Sequence, residues 1–116
     1  MTIPLVEDLD VYAGDTGTWS GTWFVTVGQV HPGTGWEITG SVRRGRSSEV
    51  TLADLVCEWL VEADGTFTFV LDAGDSATLP VGVSSCVYDV QATKDTDVRT
   101  LATGAMNVTK DVTRDE

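Results

Sequence analysis

Catalysis by a small domain needs a nucleophile beside a base, paired carboxylates in a pocket, or a cluster of metal ligands. The sequence offers one histidine, His31, in the Gly- and Pro-rich run Gln29-Val30-His31-Pro32-Gly33-Thr34-Gly35-Trp36. Serines and aspartates abound, so a Ser-His-Asp set can be drawn on paper, but no Gly-x-Ser-x-Gly elbow marks a nucleophile. His31 therefore reads as a surface-loop histidine. Asp95-Thr96-Asp97 resembles a fragment of a calcium loop, yet it lacks the glycine and closing glutamate that make such a loop specific. It reads as a polar hairpin tip. Cys57 and Cys86 are too few for a structural zinc site, and His31 lies far from both in sequence. They read as buried free thiols. Asn107-Val108-Thr109 matches a glycosylation sequon by chance, within a strand-like run. The chain is not read as an enzyme, and no cofactor or metal is expected.

Two groups of residues remain that could bind something. Arg43, Arg44 and Arg46 are three of only seven basic residues. They form either a solvated turn or a docking point for an acidic partner surface, another copy of this chain included. No aromatic platform is interleaved with them, so they make a weak nucleic-acid site. Trp19 and Trp23 could bracket a sugar-binding groove, but such aromatics more often fill a sandwich core or an interface. The expected interface residues are thus Arg43, Arg44, Arg46, Trp19 and Trp23.

The elements that must position these residues are bounded by composition. The 116 residues make one domain, 1–116, ending in a short charged tail, 110–116. A chain of this length buries roughly two-thirds of its unfolded surface and can build a core without metals or disulfides. Eighteen acidic against seven basic residues give a net charge of −11. That disfavours the nucleic-acid backbone as a partner, because binding there needs clustered Lys and Arg to release counterions. It favours solubility. No run of about 18 apolar residues is present, so no membrane span is expected. The start, Met1 to Asp8, has no basic region followed by an apolar one, so folding in a reducing cytosol is expected.

Periodicity is that of strands throughout. Thr, Val and Trp recur, and Gly or Asp-Gly punctuates at short intervals. The run 49–65 comes nearest to a helix, and its centre, Ala53-Asp54-Leu55, could form a short helical turn. Ala63-Asp64-Gly65 reads as a three-residue hairpin loop with Gly65 left-handed. It would set Val61 opposite Phe67, Trp59 opposite Phe69 and Cys57 opposite Leu71, making one face wholly apolar. A two-residue loop would put Phe67 opposite Glu62 and flip every side chain to the wrong face. Gly21 marks a bulge or a close approach within residues 18–27, and Gly104 does the same in the last strand. Ala13-Gly14-Asp15-Thr16 and Ala73-Gly74-Asp75-Ser76 echo each other as turns in which Asp bonds nearby backbone. Seven to eight short strands separated by turns predict an all-β fold, an immunoglobulin-like antiparallel β-sandwich. Its open edges must be guarded by charge or proline, or paired with a partner chain.

The order of short motifs carries one further expectation. Val11-Tyr12-Ala13-Gly14 precedes an aromatic strand. Thr39-Gly40 follows with Arg43, then Leu79-Pro80-Val81-Gly82 with Tyr88-Asp89. Leu101-Ala102-Thr103-Gly104, Val108 and Val112-Thr113-Arg114 close the chain. This order resembles a family of bacteriophage virion β-sandwich domains, which includes the N-terminal domain of baseplate upper proteins and the stand-alone LtfC-like proteins of phages of actinobacteria. Ser41 stands where the family pattern has an aromatic, and extra residues near Ser84-Ser85 lengthen the third motif. The resemblance implies a non-catalytic virion protein: a capsid decoration, a minor head protein, or a neck, tail or baseplate component. It would fold in the bacterial cytoplasm and then dock to other virion proteins in several copies. With nothing after Arg114 that continues into a longer chain, an accessory role is expected in place of anchoring. The alternative expectation is a carbohydrate- or receptor-binding module at the tail tip.

Overall fold

Glycine and tryptophan spacing sets the first long strand. Gly17 and Gly21 flank Trp19 on one face. A Cβ at Gly17 would run into the Trp19 ring, and one at Gly21 would sit 2.9 Å from Phe67 and 3.3 Å from Leu5. The two glycines thus let the indole fold over the strand and let the core approach it. Gly21 marks a close approach, since the pairing of its strand is regular.

The computed structural model describes residues 4–45 and 51–109. Within them lie ten strands: β1 (Leu5–Val6), β2 (Leu9–Tyr12), β3 (Gly17–Thr22), β4 (Phe24–Thr26), β5 (Gln29–Val30), β6 (Glu37–Arg43), β7 (Thr51–Val61), β8 (Thr66–Leu71), β9 (Gly82–Lys94) and β10 (Asp97–Thr109). A 3₁₀ turn covers Glu62–Asp64, and a four-residue helix, α1, covers Ala73–Ser76. The fold is the expected all-β one. Strand β7 belongs to two sheets. Its first half, to Leu55, pairs with β6, and its second half, from Val56, pairs with β8. One continuous path of pairing therefore folds at β7 into a large sheet, β1/β2-β10-β9-β6-β7, and a small one, β7-β8-β3, while β4 and β5 pair separately with each other. The grouping keeps the B-E-D and C-F-G neighbours of an immunoglobulin sandwich, with the first strand on the G side.

Three expectations about this architecture are corrected. Strands β1 and β2 both pair with β10 in parallel, so the sandwich is not purely antiparallel. Strands β7, β9 and β10 span 11, 13 and 13 residues and are not short. Ala53-Asp54-Leu55 is strand: Ala53 and Leu55 are buried and Asp54 is exposed, as alternation within β7 requires.

The β7–β8 hairpin keeps its expected apolar face in a different register. Trp59 lies opposite Phe67 and Cys57 opposite Phe69, two residues from the expected pairing. A bulge at Leu60 and the 3₁₀ turn lengthen the connection, and Val61 pairs with Thr66, whose hydroxyl accepts the Val61 amide at 3.0 Å. Because the shift is two residues, Trp59 and Cys57 keep the apolar face, whereas Val61, beyond the bulge, is corrected to the opposite face beside Thr66. Val61 itself is exposed. Gly65 is left-handed, φ 67°, as its place in the loop demands.

The core lies between the sheets and includes Phe67, Phe69, Leu71, Tyr88, Leu101 and Met106, all fully buried. Two polar ties fasten its margins. The Tyr88 hydroxyl donates to the Glu7 carbonyl at 2.6 Å. It does so where β1 gives way to β2 and the Glu7 backbone crosses over Gly104, leaving no room there for a Cβ. The second tie joins the Ala13-Gly14-Asp15 turn to Ala73–Ser76, which is helix α1 in place of the expected turn. The buried Ser76 hydroxyl donates to the Asp15 carbonyl at 2.7 Å and accepts the Gly14 amide at 3.0 Å. Asp72 caps α1 by accepting the Gly74 amide.

Candidate docking site

His31 is in a loop, but it is half-buried and packed. Its ring stacks on Trp23 with centroids 4.0 Å apart and meets the edge of Trp36 at 6.0 Å. Its Nδ1–H donates to the Pro32 carbonyl at 2.7 Å. Trp59 lies 6.3 Å beyond Trp23, nearly parallel to it, and its indole N–H donates to the Trp36 carbonyl at 3.0 Å. Three tryptophans and the histidine thus close one end of the sandwich. Trp23 is 1% exposed and presents no surface. The expectation that it belongs to an interface or brackets a groove is corrected: it fills the core beside Gly65, whose carbonyl accepts the Trp23 amide.

The remaining chemical candidates also find structural partners. Asp95-Thr96-Asp97 is the tip of the β9–β10 hairpin, with Asp95 left-handed and Asp97 bonded to Arg99 by two N–H···O contacts at 3.0 and 3.1 Å. The hydrogen bonds from Arg99 hold the Asp97 carboxyl below its ordinary range. Asn107 donates to the Asp10 carboxylate at 2.9 Å across the β2–β10 pair. Both cysteines are free thiols; Cys86 is buried and Cys57 is half-buried. Burial pushes the Cys57 thiol up to about 12.

Arg43 ends β6 on the outer face of the large sheet. It is half-buried, and its buried Nε has no hydrogen-bond partner among the described residues. It borders a small cavity of about 160 Å³ with Val87, Tyr88, Asp89 and Thr103. A donor held so is costly unless something accepts from it. Arg44 is exposed, and Arg46 lies outside the described residues. The structure does not bring Arg43 and Trp19 together: Arg43 is on the large sheet and Trp19 on the small one.

Trp19 points to a different feature. It is half-buried and stacks on Phe69 with centroids 5.6 Å apart. Its strand, β3, is the edge of the small sheet, and across a seam lies the opposite edge, β1/β2. Two shallow clefts follow this seam. One, of about 380 Å³, includes Leu5, Val6, Glu7, Gly21 and Phe24 in its walls. The other, of about 280 Å³, includes Asp10, Tyr12, Asp15 and Trp19. Among the described residues no backbone hydrogen bond joins β3 to β1 or β2.

The two edges differ in chemistry. The β1/β2 edge is broken between Val6 and Leu9 and carries Pro4, Glu7, Asp8 and Asp10, the usual guards against strand addition. β3 has six regularly paired residues, no bulge, no proline and no charge. Its outer face continues across β8 and β7 as rows of Thr18, Val70 and Val56, then Ser20, Thr68 and Glu58. Val56 and nearby Leu60 are 58% and 60% exposed. The small sheet thus offers a nearly neutral edge and face on a chain of net charge −11. A sequence signal for it existed. Residues 16–36 contain no Asp, Glu, Lys or Arg, a gap that aromatic periodicity alone drew attention away from.

No family model matches this chain, and no curated protein matches it. The functional reading therefore rests on the edge, the face and the motif order.

Proposed function

We propose that this chain is a structural component of a tailed-bacteriophage particle, working by docking to neighbouring virion proteins and without turning over a substrate. The observation that carries the docking role is the unguarded neutral edge of β3, with the Thr- and Val-rich face beside it, on an otherwise strongly acidic molecule. Edges of this kind pair readily with other chains unless they are covered. The motif order from Val11-Tyr12-Ala13-Gly14 to Val112-Thr113-Arg114 supports the particle as the setting. Immunogold electron microscopy of purified particles with an antibody to this chain tests the proposal. Gold over the head is expected for a decoration or minor head protein, and gold at the neck or tail for a component there. Intact particles that contain none of the chain by immunoblot would end the virion reading.

One observation favours a second reading, glycan binding. Half-buried Trp19 shares its cleft with Tyr12 and the carboxylates of Asp10 and Asp15, a combination of ring and acceptors that suits a sugar. Burial of Trp23 removes the paired bracket that this reading first needed. A shift of tryptophan emission on adding host-wall glycans, abolished by Trp19→Phe, would support it. A flat response across a glycan panel would remove it.

A further inference from the structure

From the contrast between the two edges along the seam, we infer that β3 is the edge that receives a partner, and that the partner supplies one extended, carboxylate-free strand mixing apolar with Lys or Arg side chains. This deepens the docking reading above and rests on it.

Three observations carry it. First, β3 presents backbone groups that no described residue pairs. In an antiparallel pair, alternate residues turn both N–H and C=O away from the partner strand. Six residues paired on one side only to β8 therefore hold three such residues toward the seam. Second, the seam beside that edge is built for side chains. An added strand alternates its side chains between two faces. One set would enter the cleft between Leu5 and Phe24 and along Trp19. The other set would extend the exposed rows that begin at Thr18 and Ser20. Third, the charges are of one sign. Every charged residue from Pro4 to Phe24 is acidic: Glu7, Asp8, Asp10 and Asp15. Glu7, Asp10 and Asp15 line the two clefts of the seam, whereas the Asp8 carboxylate turns to β10 and accepts the Ala105 amide. A second copy of this chain would bring another −11 to the contact, whereas a cationic strand is attracted to it. The same acidic edge, broken at Glu7-Asp8, is unsuited to receiving a strand itself.

Amide hydrogen exchange on the isolated chain, read by NMR, tests the inference independently of where the chain resides in a particle. Three ten-residue peptides serve as probes: alternating Val and Lys, the same peptide N-methylated at every second residue, and alternating Val and Glu. With the Val-Lys peptide at about ten times its Kd, alternate β3 amides are expected to exchange about tenfold more slowly, with little change elsewhere. The N-methylated and Val-Glu peptides are expected to leave β3 unprotected. Protection centred on β1/β2, scattered protection at acidic residues, or no protection of β3 at peptide concentrations up to about 1 mM would overturn the assignment. Equal protection by the Val-Glu peptide would overturn the charge preference. Protection of β3 that grows with the concentration of the chain alone would name a second copy as the occupant and overturn the cationic partner. Failure here leaves immunogold labelling of the particle unaffected, so the two proposals fall separately.

Discussion

Tyr88 and Cys57 show what burial does to single titratable groups. Burial pushes the Tyr88 phenol up to about 12, and the nearby carboxylates of Glu7 and Asp8 add to the effect. Burial alone takes the Cys57 thiol to about the same value. Both groups are largely protonated in folded and unfolded chains alike at about pH 8 and below, so neither bears on stability there. Above that, the unfolded chain releases its thiol proton near 9.0 and its phenol proton near 10.0, while the folded chain holds both up to about 12. The unfolded state then binds fewer protons, and stability falls as pH rises from about 9 toward 12. Urea midpoints at about pH 8 and pH 10.5 check this, and the second is expected to be the lower. A Cys57→Ala, Tyr88→Phe double variant is expected to lose much of the difference. The thiol state of both cysteines was legible in the sequence, because strand alternation placed them on the apolar faces of β7 and β9. The role of the Tyr88 hydroxyl was not legible. Its partner is a main-chain carbonyl 81 positions away, which no side-chain pattern encodes.

At the scale of elements, legibility followed how local the cause was. The alternation of β8 and β9, the left-handed Gly65 and the close approach at Gly104 were all written in neighbouring residues. The β7–β8 loop length was not, because a bulge at Leu60 and a 3₁₀ turn act together, keeping Cys57 and Trp59 on the apolar face and turning only Val61 to the other. The passage of β7 from one sheet to the other, and the parallel pairing of β1 and β2, depend on strands distant in sequence. Of the candidate site, the edge problem was foreseen but its place was not. Trp19 was singled out for its ring, whereas its strand is what faces the seam. Gly104 carries the element-scale prediction. Alanine there would push on the Glu7 backbone and loosen the β1/β2 edge. The expected cost is about 1–3 kcal/mol, seen as a lower thermal midpoint, with faster exchange of the Glu7 amide that donates to the Thr103 carbonyl. An unchanged midpoint would show that the N-terminal edge contributes little to the sandwich.

For the whole molecule the governing fact is charge without pairing. Among the described residues a single ion pair, Arg99 to Asp97, is present, and the net charge of −11 is left to repel itself. Self-repulsion of this sort is relieved by screening. The thermal midpoint is therefore expected to rise as NaCl goes from about 20 to 500 mM, with the larger part of the rise below about 150 mM, where the screening length is changing most. A midpoint that falls with salt would mean that favourable charge pairing outweighs the repulsion. The tryptophans are distributed as unevenly as the charge. Trp23, Trp36 and Trp59 lie within one cluster at the loop end, two of them nearly parallel at 6.3 Å, while Trp19 stands apart on β3 against Phe69. Chromophores stacked so closely couple their transition dipoles, and an isolated one does not. The chain is thus expected to carry two separate optical reporters: a far-ultraviolet circular dichroism couplet that follows the closed end of the sandwich, and the emission of Trp19, isolated by difference from a Trp19→Phe variant, that follows its open side.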